Sequence, residues 1–315
     1  MQQINRAQVK QALGFDKLIP ALQQGFASNA GMPMRQVFEL DDNPNNHDAF
    51  AVLPAWNEEV IGVKAFTYFP QNFQQNKASL YSKIMLFSRE TGEPLALVDG
   101  TEVTLWRTAA VSALAASYLA KKDAKHLVFF GSGNLAPFMI GAHLSVRAYE
   151  KVTIIARNQD KAQTLVSLMA AQFSKVNFEH SQAASEAIVS SADVISCATG
   201  SHAPLFDGNW VSEGAHIDLI GNHHKQYREC DTRTVTRSQV YVDSRANVLN
   251  EAGELLIPIE ENVFSAEQVK AELSELAKSN RHQRGADNEI TLFKSVGTAL
   301  SDLVTAKLVY DLVQE

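Results

Sequence analysis

Residues 127–138, LVFFGSGNLAPF, constrain the fold more than any other stretch of this sequence. Four apolar residues suited to a buried strand run into Gly131 and Gly133, and helix-forming residues follow at once. Glycine at 131 permits a tight turn, glycine at 133 lets the backbone approach a pyrophosphate, and Ala136 stands where a third glycine often sits. The free N–H groups at the helix start favour negative charge. The turn Gly131-Ser132-Gly133-Asn134-Leu135 is therefore the expected cofactor-binding segment of a dinucleotide site. From His126 onward the apolar runs LVFF, VTIIA, VNFEH, DVISCA, AHIDLIG and QVYVDS alternate with helical stretches. Such alternation predicts a doubly wound parallel sheet with helices on both faces.

The second run ends in Arg157-Asn158, where an NAD-preferring site usually carries an acid for the ribose 2′-hydroxyl. No carboxylate follows until Asp160. Arg157 can instead meet a 2′-phosphate, so NADPH is the expected cofactor, with Asn158 beside it and NADH as the alternative.

Upstream, residues 5–27 carry a helical pattern, with Asn5 and Asp16 as expected N-caps and Pro20 near the start of a second helix. RQVFEL, DAFAVLP, VIGVKAFTYF, SKIMLF and PLALVDG read as strands, the last two joined by the turn RETGE. TEVTLWRTAAVSALAASYLA predicts one long Ala-rich helix, with a domain boundary just beyond it at residues 121–125. The closing stretch, ITLFKSVGTALSDLVTAKLVYDLV, reads as a strand that turns at Ser295 to Thr298 into a helix returning to the first domain. The expected fold class is α/β: a Rossmann-type domain over residues 121–293 and a discontinuous α+β domain over residues 1–120 and 294–315.

Composition removes several functional classes. The 315 residues include 35 acidic and 28 basic side chains, a net charge of -7, and the Lys and Arg are dispersed, which disfavours nucleic acid as a partner. Two cysteines, Cys197 and Cys230, are too few for a disulfide framework or a thiolate metal site, and suit a reducing compartment. The first residues lack the basic start and apolar core of a secretion signal, and no apolar run is long enough to span a bilayer. The expectation is a cytoplasmic protein with no membrane and no metal partner.

RTAAVSALAASYLA, GSGNLA, VYVDSRANVLNEAGEL and LFKSVGTALSDL occur in this order, and with them the chain resembles the ornithine cyclodeaminase and mu-crystallin family over its whole length. The resemblance implies that the discontinuous domain binds substrate and forms a homodimer. It also implies one of several activities: ornithine cyclodeaminase, alanine dehydrogenase, reductase of cyclic ketimines, or NADPH-dependent ligand binding of the mu-crystallin kind. Two arginines and a lysine surround the substrate carboxylate in that family, and the matching positions here are Arg35, Lys64 and Arg107. Their chemistry suits the role, because an Arg fork and a point-charge Lys together fix the orientation of a small anion. Ser79 matches a threonine beside the carboxylate and nicotinamide; Thr199 and Gly297 are the further expected cofactor contacts, with Thr298 in the same turn.

LIGNHHKQYREC, residues 219–230, aligns with a family loop that typically reads GADxPGKREL, so His223 stands where relatives keep an aspartate. In the cyclodeaminases that acid handles amine protons. Imidazole offers no negative charge to an ammonium group, which argues against ornithine cyclisation. Reduction of a cyclic imino acid, Δ1-pyrroline-2-carboxylate or its piperideine homologue, needs only an anchored carboxylate, a hydride and a proton source, and His223 is the expected catalytic residue. Such imines arise in hydroxyproline and lysine breakdown, which would place the chain in proline or pipecolate metabolism. Adjacent His223 and His224 diverge, and no HxH or HxxxH spacing accompanies them, so a metal site is not expected.

Overall fold

The computed structural model describes residues 1–41, 48–75 and 77–314. It forms two compact units, one of residues 1–108 with those from 298 onward, the other of residues 109–297. The first opens with strand β1 (Gln2–Ile4), helices α1 (Arg6–Ala12) and α2 (Phe15–Ala27), then strands β2 (Gln36–Glu39), β3 (Ala49–Trp56), β4 (Val60–Tyr68), β5 (Leu80–Ser88) and β6 (Pro94–Asp99). Among the described residues these make a six-stranded mixed sheet in the order β1-β6-β5-β4-β3-β2, with β1 parallel to β6 and every other pair antiparallel. Side-chain alternation puts Ala51, Leu53 and Ala55 of β3, Val60 and Gly62 of β4, and Ile84 and Leu86 of β5 in buried positions.

Asn5 caps α1 as expected, its side chain accepting from Gln8 N while the Gln8 side chain accepts from Asn5 N. Asp16 does not cap the second helix. Gly14 occupies that position and Asp16 lies in the first turn. Pro20 lies inside α2 rather than at its start; burial of Leu18, Leu22 and Phe26 along one face offsets the lost backbone hydrogen bond.

Helix α3 (Gly100–Leu119) leads into the second unit: β7 (His126–Phe130), α4 (Ala136–Val146), β8 (Lys151–Ile155), α5 (Gln159–Gln172), β9 (Asn177–Ser181), α6 (Glu186–Ser190), β10 (Val194–Cys197) and β11 (His216–Leu219). After these come α7 (Thr232–Thr236), β12 (Ser238–Val242), α8 (Arg245–Glu251), α9 (Gly253–Glu260), β13 (Ala271–Glu272), α10 (Leu273–Ser279) and β14 (Ile290–Lys294). All pairs in this eight-stranded sheet are parallel, in the order β13-β12-β14-β11-β10-β7-β8-β9 among the described residues. β7 and β14 are buried at every residue, as befits strands covered on both faces. The order reverses between β7 and β10, the switch point at which open α/β sheets leave a crevice outside the carboxyl ends of their strands.

This core holds polar groups. Asp218 of β11 accepts hydrogen bonds from Ser196 Oγ (2.7 Å) and Ser112 Oγ, and lies 3.3 Å from His143 Nε2. All four are fully buried. Burial alone would raise the Asp218 carboxyl, but the bonds from His143 and Ser112 hold it below the usual carboxylate range. Burial pushes neighbouring His216 down to about 3, so it is neutral.

The last helix, α11 (Ala299–Gln314), belongs to the first unit, where it packs against α2 and across β3, β4 and β5. Among the described residues no helix is long and apolar enough to cross a membrane.

Candidate active site

The first unit gathers cations around one acid. Lys64 shares the buried face of β4 with Val60 and Gly62, so its stem enters an apolar layer and its ammonium needs partners there. Lys64 Nζ donates to Thr104 Oγ1 (2.7 Å) and to Asp302 Oδ1 (3.1 Å). Arg107 Nε donates to the same Asp302 oxygen (3.0 Å). Thr104 and Arg107 stand three residues apart on α3 and so share a face. Asp302 lies in the first turn of α11, where a negative charge is favoured.

Arg35, half-buried just ahead of β2, adds its positive charge, which with that of Arg107 disfavours protonation of Lys64. Burial is the largest influence and Asp302 opposes it; the outcome for Lys64 is a fall to about 8. Two cations, Lys64 and Arg107, thus bond one carboxylate oxygen, and the charge of Arg35 acts on Lys64. Ser79, half-buried ahead of β5, gives its carbonyl to Phe69 N (2.8 Å) and takes no part in the Lys64–Asp302–Arg107 bonds. Asp302 and Thr104 were not singled out from the sequence. The available signal was a lone acid amid the buried residues of ALSDLVTA.

The second unit builds the nucleotide turn. Gly131 has φ 131°, and a Cβ there would meet Ala198 O at 2.9 Å, so only glycine fits. Space around Gly133 is open, as a close-approaching phosphate requires. Helix α4 has no side-chain cap, and Pro137 lies in its first turn, where a missing N–H costs nothing. These features fit a dinucleotide pyrophosphate. Arg157 and Asn158 are exposed after β8, and Asn158 Oδ1 caps α5 through Lys161 N (2.9 Å).

Thr199, the loop holding His223, and Gly297 follow β10, β11 and β14, so adjacent parallel strands bring all three to the carboxyl end of the sheet with Gly131. Gly297 has φ 85°, and its N–H donates to Asp243 Oδ2 (2.7 Å), which also accepts from Val296 N (3.1 Å) and Ser295 Oγ (2.7 Å). In the first unit, Thr298 Oγ1 accepts from Ser301 N (3.2 Å) at the start of α11.

His223 and His224 are both exposed; His224 stands edge-on to Tyr227, whose ring stacks on His202 at 3.8 Å. No group of three or more His, Cys, Asp or Glu among the described residues is arranged to hold a metal ion. Beneath the loop lie Glu229, Glu254 and Lys294, fully buried, to none of which the sequence assigned a role. Cys197 and Cys230 are free, buried thiols.

The profile of the ornithine cyclodeaminase/mu-crystallin family matches residues 2–315. A Δ1-pyrroline-2-carboxylate reductase of Colwellia psychrerythraea is 53% identical over 313 residues, 99% of each chain. Among solved structures, the Thermococcus litoralis Δ1-pyrroline-2-carboxylate reductase in complex with NADH and L-proline superposes with a TM-score of 0.93 at 31% identity, covering 100% of this chain and 98% of that one. An archaeal alanine dehydrogenase dimer with bound NAD gives 0.92 at 26% identity, covering 100% and 96%. With its motifs, both sheets and its full length thus matched, the chain belongs to the ornithine cyclodeaminase/mu-crystallin family.

Proposed function

We propose that the chain reduces Δ1-pyrroline-2-carboxylate to L-proline with NAD(P)H, and accepts Δ1-piperideine-2-carboxylate as a second substrate. The observation that carries this reading is the excess of positive charge around Asp302, where buried Lys64 and Arg107 share a single carboxylate oxygen. A ring-borne carboxylate supplies the missing negative charge, and its two oxygens suit the planar Arg107 fork with Lys64 as a point charge. The activity named for the Colwellia psychrerythraea and Thermococcus litoralis relatives supports it further.

A reduced nicotinamide dinucleotide held through its pyrophosphate by the turn Gly131 to Leu135 would supply the hydride. Arg35, Lys64 and Arg107 hold the carboxylate, with Ser79 beside it, so that C2 of the protonated imine is presented in one orientation. His223 gives or relays the proton to the ring nitrogen, and C=N becomes CH–NH. The test is oxidation of NADPH by the chemically prepared imine without ammonia. No turnover with either ring would refute the reading, and turnover only with pyruvate and ammonia would assign an alanine dehydrogenase instead.

NADPH is the proposed preferred cofactor because Arg157 is exposed where the 2′-phosphate binds in such folds. Losing a charge-assisted bond makes Arg157→Glu lower the kcat/KM ratio of NADPH to NADH by about 10- to 100-fold. An unchanged ratio would remove Arg157 from that role.

The alkaline limb of kcat/KM is a second check, since this parameter reports the free enzyme. Lys64, lowered to about 8, is charged below that pH and neutral above it, so affinity for the anionic substrate falls as pH rises through 8. Asp302 raises the lysine, so Asp302→Asn moves the limb to lower pH. A limb that stays in place would separate Lys64 from substrate binding.

The proposed assembly is a homodimer. Edge strand β2 is exposed throughout, and Met34, Val37, Phe38 and Leu40 on and beside it are exposed apolar side chains, which with the open strand edge make a surface that a partner copy would cover. Light scattering at the mass of one chain would disprove this.

A further inference from the structure

We propose that Glu229, Glu254 and Lys294 are positioning residues that bracket the His223 loop and Thr199, so that the loop geometry responds in opposite senses to the charges of Lys294 and Glu254. The Glu229 carboxylate ties two loops together: Oε1 accepts from Thr199 N (2.7 Å) and Thr199 Oγ1 (2.8 Å), and Oε2 accepts from Gly221 N (2.7 Å). Glu254, in the first turn of α9, takes Glu229 N on Oε1 (3.1 Å). Its Oε2 accepts from Asn222 Nδ2 (3.2 Å) and lies 3.2 Å from Lys294 Nζ. Lys294, the last residue of β14, also donates to Asn222 O (2.9 Å).

The residues flanking His223 are fixed by the same bonds. Asn222 Oδ1 accepts from His224 N (3.1 Å), while Nδ2 donates to His224 O (3.0 Å) and to Tyr227 O. His223 is exposed, yet its neighbour Asn222 is buried and held through both its carbonyl and its side chain.

Two buried carboxylates share one ammonium, so the bracket is sensitive to a single charge. The partners of Glu229 are two backbone N–H groups and a hydroxyl; protonation would turn one of its oxygens from acceptor to donor and loosen the grip on Thr199 or Gly221. Burial raises Glu229 to about 7, Lys294 pulls it down and Glu254 pushes it up. The thiols Cys197 and Cys230 also face it; burial holds both well above their ordinary range, so they stay neutral.

The experiment measures NADH affinity by fluorescence across pH 6–9, NADH being chosen because it lacks a titrating 2′-phosphate, alongside kcat for the imine. In the unmodified protein, affinity falls as pH drops through about 7. Lys294→Met moves that midpoint up, and Glu254→Gln moves it down, each by about one pH unit. Glu229→Gln abolishes the midpoint. Midpoints that stay put, or move in the same direction, overturn the proposal, because damage to the fold has no reason to give opposite signs. If Lys294→Met does not fold, a Glu254→Gln midpoint that is unmoved or raised overturns it alone. The kcat arm rests on the imine-reductase reading, whereas the NADH arm does not, so an inactive unmodified protein refutes that reading while the fluorescence midpoints still judge the bracket.

Discussion

Arg107→Ala lowers kcat/KM for the cyclic imine about a thousandfold, a loss of roughly 4 kcal/mol of transition-state binding, the scale expected when one partner is removed from a buried charge pair. Arg107 is 9% exposed, and its Nε already holds Asp302 Oδ1 at 3.0 Å, so its guanidinium is oriented before substrate arrives. The nucleotide turn is built from residues 131–135 of the other unit, so cofactor affinity is expected to survive the change. A second readout guards against trivial misfolding. Arg107 depresses Lys64, so its removal moves the alkaline limb to higher pH, opposite to the effect of Asp302→Asn. Arg107→Lys keeps the charge but not the fork, and falls between the two. Near-normal kcat/KM in the alanine variant would dismantle the carboxylate anchor.

Asp218→Ala lowers stability by about 3–5 kcal/mol, because it strips the acceptor from three buried groups at once and leaves a cavity. Ser112, Ser196 and His143 all bond Asp218 Oδ2, and none is exposed. The melting midpoint should drop by roughly 10 °C. Asp218→Asn keeps the shape and an acceptor, so it costs less. The folded carboxyl lies below its usual range, so its contribution is present near neutral pH and is lost as pH falls through that depressed value. Thermal scans at several pH values check both points. A melting midpoint for Asp218→Ala within a degree of the unmodified protein would contradict the assignment.

Much of the fold was legible because burial on both faces writes uninterrupted apolar strands. LVFF, VTIIA and DVISCA correspond to β7, β8 and β10, and the parallel sheet follows from their alternation with helices. Short elements were not legible. β1 has three residues and β13 two, too few for any period to register, and both depend on a partner strand elsewhere in the chain. Lys64 and Arg107 stood out as charges in apolar surroundings. Their shared acid did not, because Asp302 is 238 residues from Lys64 and 195 from Arg107, and only the folded chain joins them. The same holds for Lys294 and Glu254, which look like ordinary charges until β14 and α9 bring them within 3.2 Å.

The discontinuity of the first unit bears on the order in which a growing chain can become competent. Residues 109–297 include every strand of the parallel sheet in one continuous stretch, and domains generally fold as units. Lys64 and Arg107 are made early, yet their counter-charge arrives only with α11. Until then the acid that both cations bond is missing from the layer. A released chain that ends at residue 298 should therefore already take up the nucleotide while leaving the imino acid ungripped.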